Sequence, residues 1–176
     1  MLIFCVQQYM DKKSQPPSLI EKLVIFLEYT TTTGQPMKFH NNIRVFGDTD
    51  FRGECPSESA EAVTFFAKLR REHPATYGLI ATHIRNEGLR TFYQATKQKS
   101  EGMTKGAPDI IIPASPAFVC ELKRQDHTKS KWQDGQQEYL LEAQKQGAFV
   151  CVALGYVGAY KAFNLWNDKK SLHVVK

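Results

Sequence analysis

Three residues have the types and spacing to do one kind of chemistry together. Asp109 follows Pro108 at the start of a short apolar run, and Glu121-Leu122-Lys123 closes a second run. Side chains alternate along a strand, so Glu121 and Lys123 share one face while Phe118, Cys120 and Leu122 take the other. If the two runs pair as a hairpin, Asp109 and Glu121 come to the same region. Two carboxylates offer hard oxygen ligands for Mg2+, which keeps several waters and can hold a phosphate oxygen. Such an ion neutralises charge developing on a phosphate and lowers the pKa of its water. A lysine beside them orients or activates that water and offsets the repulsion between the carboxylates. The set suits hydrolysis of a phosphodiester. Taken alone, Glu121-Leu122-Lys123 reads first as a solvated ion pair of small energetic value, so the surrounding elements decide.

Those elements fit a sheet with helices on its faces. Strands are expected over residues 107–112 and 117–123, and a four-residue link at 113–116 calls for an antiparallel hairpin. A helix over 132–146, closed by Gly147, leads to a third strand over 149–154, the pattern of a helical crossover. A short helix over 156–163 follows. Upstream, Ser57 is a plausible N-cap, with Glu58 and Glu61 in the first turns, where carboxylates suit the helix dipole. Ala62, Phe65, Phe66 and Leu69 make one apolar stripe, and Arg70, Arg71 and His73 end the helix before Pro74. Residues 77–84 read as a strand, Asn86-Glu87-Gly88 as a turn and 90–100 as a polar helix. Gly102 and Gly106 flank a basic loop containing Lys105. The fold expected is α/β, a central mixed sheet flanked by helices, with the site at one end of the Asp109 and Glu121 strands.

Helical phase selects one further candidate. Gln136 shares a face with Tyr139, Leu140 and Ala143, whereas Gln137 points elsewhere. An amide turned inward needs partners, and an active site would provide them; the alternative is a partly exposed amide on the helix rim.

Composition sets the boundaries. The chain has 176 residues, 42% hydrophobic, with a net charge of +5, which weakly favours an anionic partner. No run approaches the roughly 20 apolar residues of a bilayer span, and the first ten residues do not make a signal peptide, so a cytoplasmic protein is expected. Cys5, Cys55, Cys120 and Cys151 form no C-x-x-C pair, and buried inert thiols are expected at Cys120 and Cys151. Residues 1–55, with an amphipathic stretch at 18–29, read as an appendage of unknown role, free to engage DNA, the dimer or a protein partner. Residues 56–176 read as the catalytic domain.

The motifs also follow a recognisable order: Glu58-Ser59-Ala60-Glu61, then His83-Ile84-Arg85-Asn86-Glu87-Gly88, then Gly102-Met103-Thr104-Lys105-Gly106-Ala107-Pro108-Asp109, then Glu121-Leu122-Lys123, then Gln136 on a helix closed by Gly147. From about residue 46 to 163 the chain resembles the VRR-NUC domain, a branch of the PD-(D/E)xK nucleases whose phage-type and bacterial members stand alone. The resemblance implies a restriction-endonuclease-like core. It implies an endonuclease dependent on Mg2+ or Mn2+ that acts on branched DNA such as Holliday junctions, often as a homodimer. It makes Asp109 and Glu121 metal ligands, Lys123 the catalytic lysine and Glu61 the first-helix acid that completes the metal site. His83 and Asn86 lie in a strip typical of the family and are candidates for substrate contact, a structural histidine and a plain turn being the alternatives. Lys105, Arg124, Lys129 and Lys131 bracket the site in sequence and are candidates for DNA phosphate contacts, with a solvated basic loop as the alternative. The rival activities are an exonuclease or restriction-type nuclease on the same fold, and a catalytically silent DNA-binding or regulatory protein.

Overall fold

The short link at 113–116 does turn the chain back on itself. The computed structural model describes residues 37–84 and 92–173. The amphipathic stretch at 18–29 and the turn at Asn86-Glu87-Gly88 lie outside the described residues. In chain order the elements are β1 (Arg44–Phe46), α1 (Glu58–Glu72), α2 (Tyr77–Ile80), β2 (Thr82–His83), α3 (Phe92–Ser100), β3 (Ile110–Ile112), β4 (Phe118–Lys123), a 3-10 turn (His127–Lys129), α4 (Gln136–Lys145), β5 (Phe149–Leu154) and α5 (Gly155–His173).

The strands form one five-stranded sheet in the order β1-β5-β4-β3-β2. β3 and β4 pair antiparallel, with Ile110 opposite Cys120 and Ile112 opposite Phe118. β5 runs parallel to β4, with Glu121 opposite Val152, and α4 makes the crossover between them. β1 is parallel to β5, and β2 antiparallel to β3, so the sheet is mixed.

The alternation read from β4 is the one that builds the two cores. Phe118, Cys120 and Leu122 pack with Ile110 and Ile112 under α1 and α5. Val119 faces the other way, against Val150, Val152 and Leu140 of α4. α1 forms as its sequence dictates: Ser57 Oγ accepts the Ala60 N–H at 3.3 Å, and Ala62, Phe65, Phe66 and Leu69 are its buried stripe. Phe65 and Leu69 are fully buried, each worth roughly 1.5–3 kcal/mol against exposure. Cys120 and Cys151 face each other across β4 and β5, both buried, and burial pushes the Cys120 thiol up, away from the reactive thiolate.

Three expectations need correction. Residues 77–84 are not one strand: Tyr77–Ile80 is a helical turn, and only Thr82–His83 pairs. Packing overrides the apolar run, because the Tyr77 ring sits on Phe163 and Trp166 at 5.4 and 5.0 Å, and Gly78 lies so close to α1 that a Cβ would meet Arg70 Cα at 2.7 Å. α4 starts at Gln136 and not near 132, because Gly135 is left-handed at φ +86 and Trp132 Nε1 is drawn to the Lys38 carbonyl at 2.9 Å. α5 runs to His173, well past 163, its Trp166 packing against Phe118.

Residues 37–55 join the same folded unit as the sheet. β1 supplies an edge strand, and the loop after it is fastened by residues 124–129. Gly53 N–H donates to Asp126 Oδ2 at 3.0 Å, His127 Nε2 meets the Thr49 carbonyl at 3.1 Å, and Lys129 Nζ donates to the Gly53 carbonyl at 2.7 Å. Among the described residues no helix is long and apolar enough to cross a membrane.

Candidate active site

Continuing the β3–β4 register by one step sets Asp109 opposite Glu121. The Asp109 carboxylate is held from across the hairpin, where the Leu122 N–H donates to Oδ2 at 2.9 Å. Its carbonyl accepts the Ile84 N–H at 3.0 Å, tying it to the end of β2. His83 Nε2 stands 4.0 Å from Asp109 Oδ1.

Glu121 and Lys123 share the face that alternation assigns them, and both are sealed from water, at 1% and 2% exposure. Glu121 Oε1 accepts from Lys123 Nζ at 2.7 Å and from Gln136 Nε2 at 2.5 Å. Its second oxygen, Oε2, is buried and has no hydrogen-bond partner among the described residues. Burial, then the Asp109 charge, pushes the Glu121 carboxyl up to about 8 despite Lys123; Glu58 adds to the rise.

The Lys123 ammonium has three donors and three acceptors: Glu121 Oε1, Gln136 Oε1 at 3.1 Å and the Lys131 carbonyl at 3.2 Å. It also lies 5.4 Å from the centre of the Trp132 ring. Gln136 is the cross-link. Its Oε1 accepts from Lys123 and from the Gln133 N–H at 2.9 Å, while its Nε2 donates to Glu121. The carbonyl toward the ammonium and the amide toward the carboxylate is the only chemically sensible orientation. Gln137 is outside this network, as helical phase requires.

Two glycines make this approach possible. Gly106 has φ +78, and a Cβ there would lie 2.2 Å from Gly135 C and 2.6 Å from Gln136 N. The loop that delivers Asp109 thus rests directly on the start of α4. Gly106→Ala is expected to cost roughly 2–3 kcal/mol through strain and collision, seen as a clear drop in melting temperature together with loss of activity. An unchanged melting temperature would contradict the close approach.

The first-helix acids divide differently from the sequence reading. Glu61 is buried, but its Oε2 accepts the Tyr156 N–H at 2.8 Å and its carboxylate lies against Gly155. It stabilises the positive N-terminal end of α5. The acid of α1 whose charge reaches Glu121 is Glu58, one turn earlier, which also accepts the Ser130 hydroxyl at 2.5 Å. The resemblance points to Glu61 for the metal site, and no local signal in the sequence separates it from Glu58, since both lie in the first turns of α1.

The basic candidates spread over different tasks. The Arg124 guanidinium donates to the carbonyls of Cys55 at 2.7 Å and Pro56 at 3.2 Å, fixing the entry to α1. Lys129 holds Gly53, as described above. Lys105 pairs with Asp134 at 2.7 Å on the surface, and Lys131 is exposed while its carbonyl serves Lys123. Asn86 lies outside the described residues.

Sequence profiles of known protein families give no match, and no curated protein matches. Among solved structures, one titled "VRR_NUC domain protein" superposes with a TM-score of 0.51 at 18% identity, covering 65% of this chain and 89% of that one. That likeness is one of fold. The chain has an α/β core, a mixed five-stranded sheet flanked by helices, and shares that fold with the solved structure.

Proposed function

We propose that the chain is a divalent-metal-dependent DNA endonuclease, and the buried, unpartnered Oε2 of Glu121 beside Asp109 carries that reading. A carboxylate oxygen that is buried without a donor asks for a proton or a cation. The residues fit a hard cation. Among the described residues no three His, Cys, Asp or Glu side chains converge on one point, which disfavours an all-protein cage. Mg2+ needs only one or two carboxylates and keeps its waters, so Asp109 and Glu121 are its candidate ligands, with Mn2+ as the close substitute and Glu58 a further acid whose charge reaches Glu121. When bound, the ion supplies charge neutralisation at the phosphate and a water of lowered pKa. Lys123 is the candidate for orienting that water and stabilising charge on the phosphate. Gln136 holds Lys123 and Glu121 in register, and Trp132 shields the ammonium. Branched DNA as preferred substrate, a homodimer and a cytoplasmic setting come from the resemblance and the composition.

The raised Glu121 pKa gives a signed prediction. In the unfolded chain this carboxyl titrates near 4.5 and in the folded chain at about 8. Its contribution to stability is therefore full below 4.5 and lost as pH rises through about 8. A cation competes with that proton, so the rise in melting temperature produced by Mg2+ or Mn2+ should grow across the same window. Thermal unfolding with metal or with EDTA over this range is the check, and a metal effect that shrinks with pH would contradict the assignment.

The activity itself is tested on four-way junction, flap, linear duplex and single-stranded DNA with Mg2+, Mn2+ or EDTA. Metal-dependent internal cuts are expected. Release from ends would indicate the exonuclease, and junction binding without cutting the silent protein.

A further inference from the structure

A cavity of about 400 Å3 lies beside the site, between α1 and β2. Its α1 wall is formed by Ser59, Ala62, Val63, Phe66 and Arg70, which recur at i, i+3, i+4, i+7 and i+11, and His83 closes the other side. That stripe runs along α1 for about 16 Å, away from the end that carries Glu58. His83 belongs to both places, lining the cavity and standing 4.0 Å from Asp109 Oδ1.

Its chemistry is specific. Arg70 has its guanidinium over the Phe66 ring, 5.3 Å from the centroid, and the His83 ring lies 6.0 Å from Phe66. Val63 is 68% exposed, an apolar side chain left facing solvent at the rim. Among the described residues no acidic side chain lines the cavity. Planar cationic and aromatic groups over an apolar floor match the face of a nucleobase, and the Arg70 charge suits its phosphate. A base within a duplex hides its faces against its neighbours, so the matching occupant is unpaired.

We propose that this cavity seats one unpaired nucleotide of the DNA strand next to the phosphate held at Asp109, with the base stacked on Arg70. The inference rests on the nuclease reading for the position of that phosphate, and it makes an unpaired nucleotide beside the cut the feature the protein selects.

The test uses the full chain, with Ca2+ in place of Mg2+, and a flap DNA carrying 2-aminopurine singly at successive positions of its unpaired strand around the branch. Stacking is expected to quench fluorescence at one position. Arg70→Ala should remove that quenching and weaken flap binding about tenfold more than duplex binding. Arg70→Lys keeps the charge but not the planar face, so it should fail to restore the quenching. Quenching that survives Arg70→Ala, or that lysine restores, would overturn the seat. The readout needs no cleavage. Arg70-dependent quenching in a protein that cuts no DNA when Mg2+ or Mn2+ replaces Ca2+ would sink the nuclease reading alone, and metal-dependent cutting without that quenching would sink the seat alone.

Discussion

Lys123→Ala is expected to lower the rate of DNA cleavage by on the order of a thousandfold while leaving DNA affinity nearly unchanged. The two halves have separate causes. Lys123 is 2% exposed and bound to Glu121, Gln136 and the Lys131 carbonyl, so it adds little to the surface that DNA meets. Its ammonium is nevertheless the positive group that touches Glu121, beside the place where charge builds on the phosphate. Removing one partner of a buried ion pair ordinarily costs about 3–5 kcal/mol, because a charge is left behind. Here the remaining carboxyl already titrates at about 8, so it takes up a proton instead, and the cost should fall to about 1–3 kcal/mol. Single-turnover cleavage, a binding titration and thermal unfolding on the same protein separate the three effects. Undiminished cutting would remove Lys123 from the mechanism.

Asp109→Asn should be as damaging to activity and much gentler on the fold. The asparagine Oδ1 can still accept the Leu122 N–H that Asp109 Oδ2 accepts at 2.9 Å. What disappears is the charge. Asp109 is the second largest cause of the raised Glu121 pKa, after burial, so the Glu121 carboxyl should titrate lower in the variant. Loss of one of two candidate metal ligands is expected to weaken Mg2+ or Mn2+ binding at least tenfold and to reduce cleavage by about a thousandfold. Metal titration followed by melting temperature measures the first, and cleavage at saturating DNA the second. A variant that binds metal and cuts like the wild type would place the ion elsewhere.

Much of this site was legible because strand and helix periods are local. A period of two put Glu121 and Lys123 on one face, and that face is where Gln136 meets them. A period of 3.6 turned Gln136 inward with Leu140 and left Gln137 out. The remainder depended on partners distant in sequence. Glu58 and Glu61 are both first-turn acids, and their directions differ by only ~60° around the helix. The N-terminus of α5, 95 residues away, claims Glu61 through Tyr156. Arg124 and Lys129 read as phosphate contacts because they are basic and near Lys123 in sequence. Their donors go to carbonyls at Cys55, Pro56 and Gly53, about seventy residues upstream. β1 is three residues long and gains its identity only by pairing with β5. Its sequence carries no period long enough to announce it.

The most direct test of the central claim is single-turnover cleavage of DNA by the wild-type chain with Mg2+ or Mn2+ and with EDTA, with Asp109→Asn assayed beside it. Cuts that need the metal and vanish in the variant are the predicted result. Cleavage that persists in EDTA or in Asp109→Asn, or no cleavage of any DNA with either metal, would contradict it.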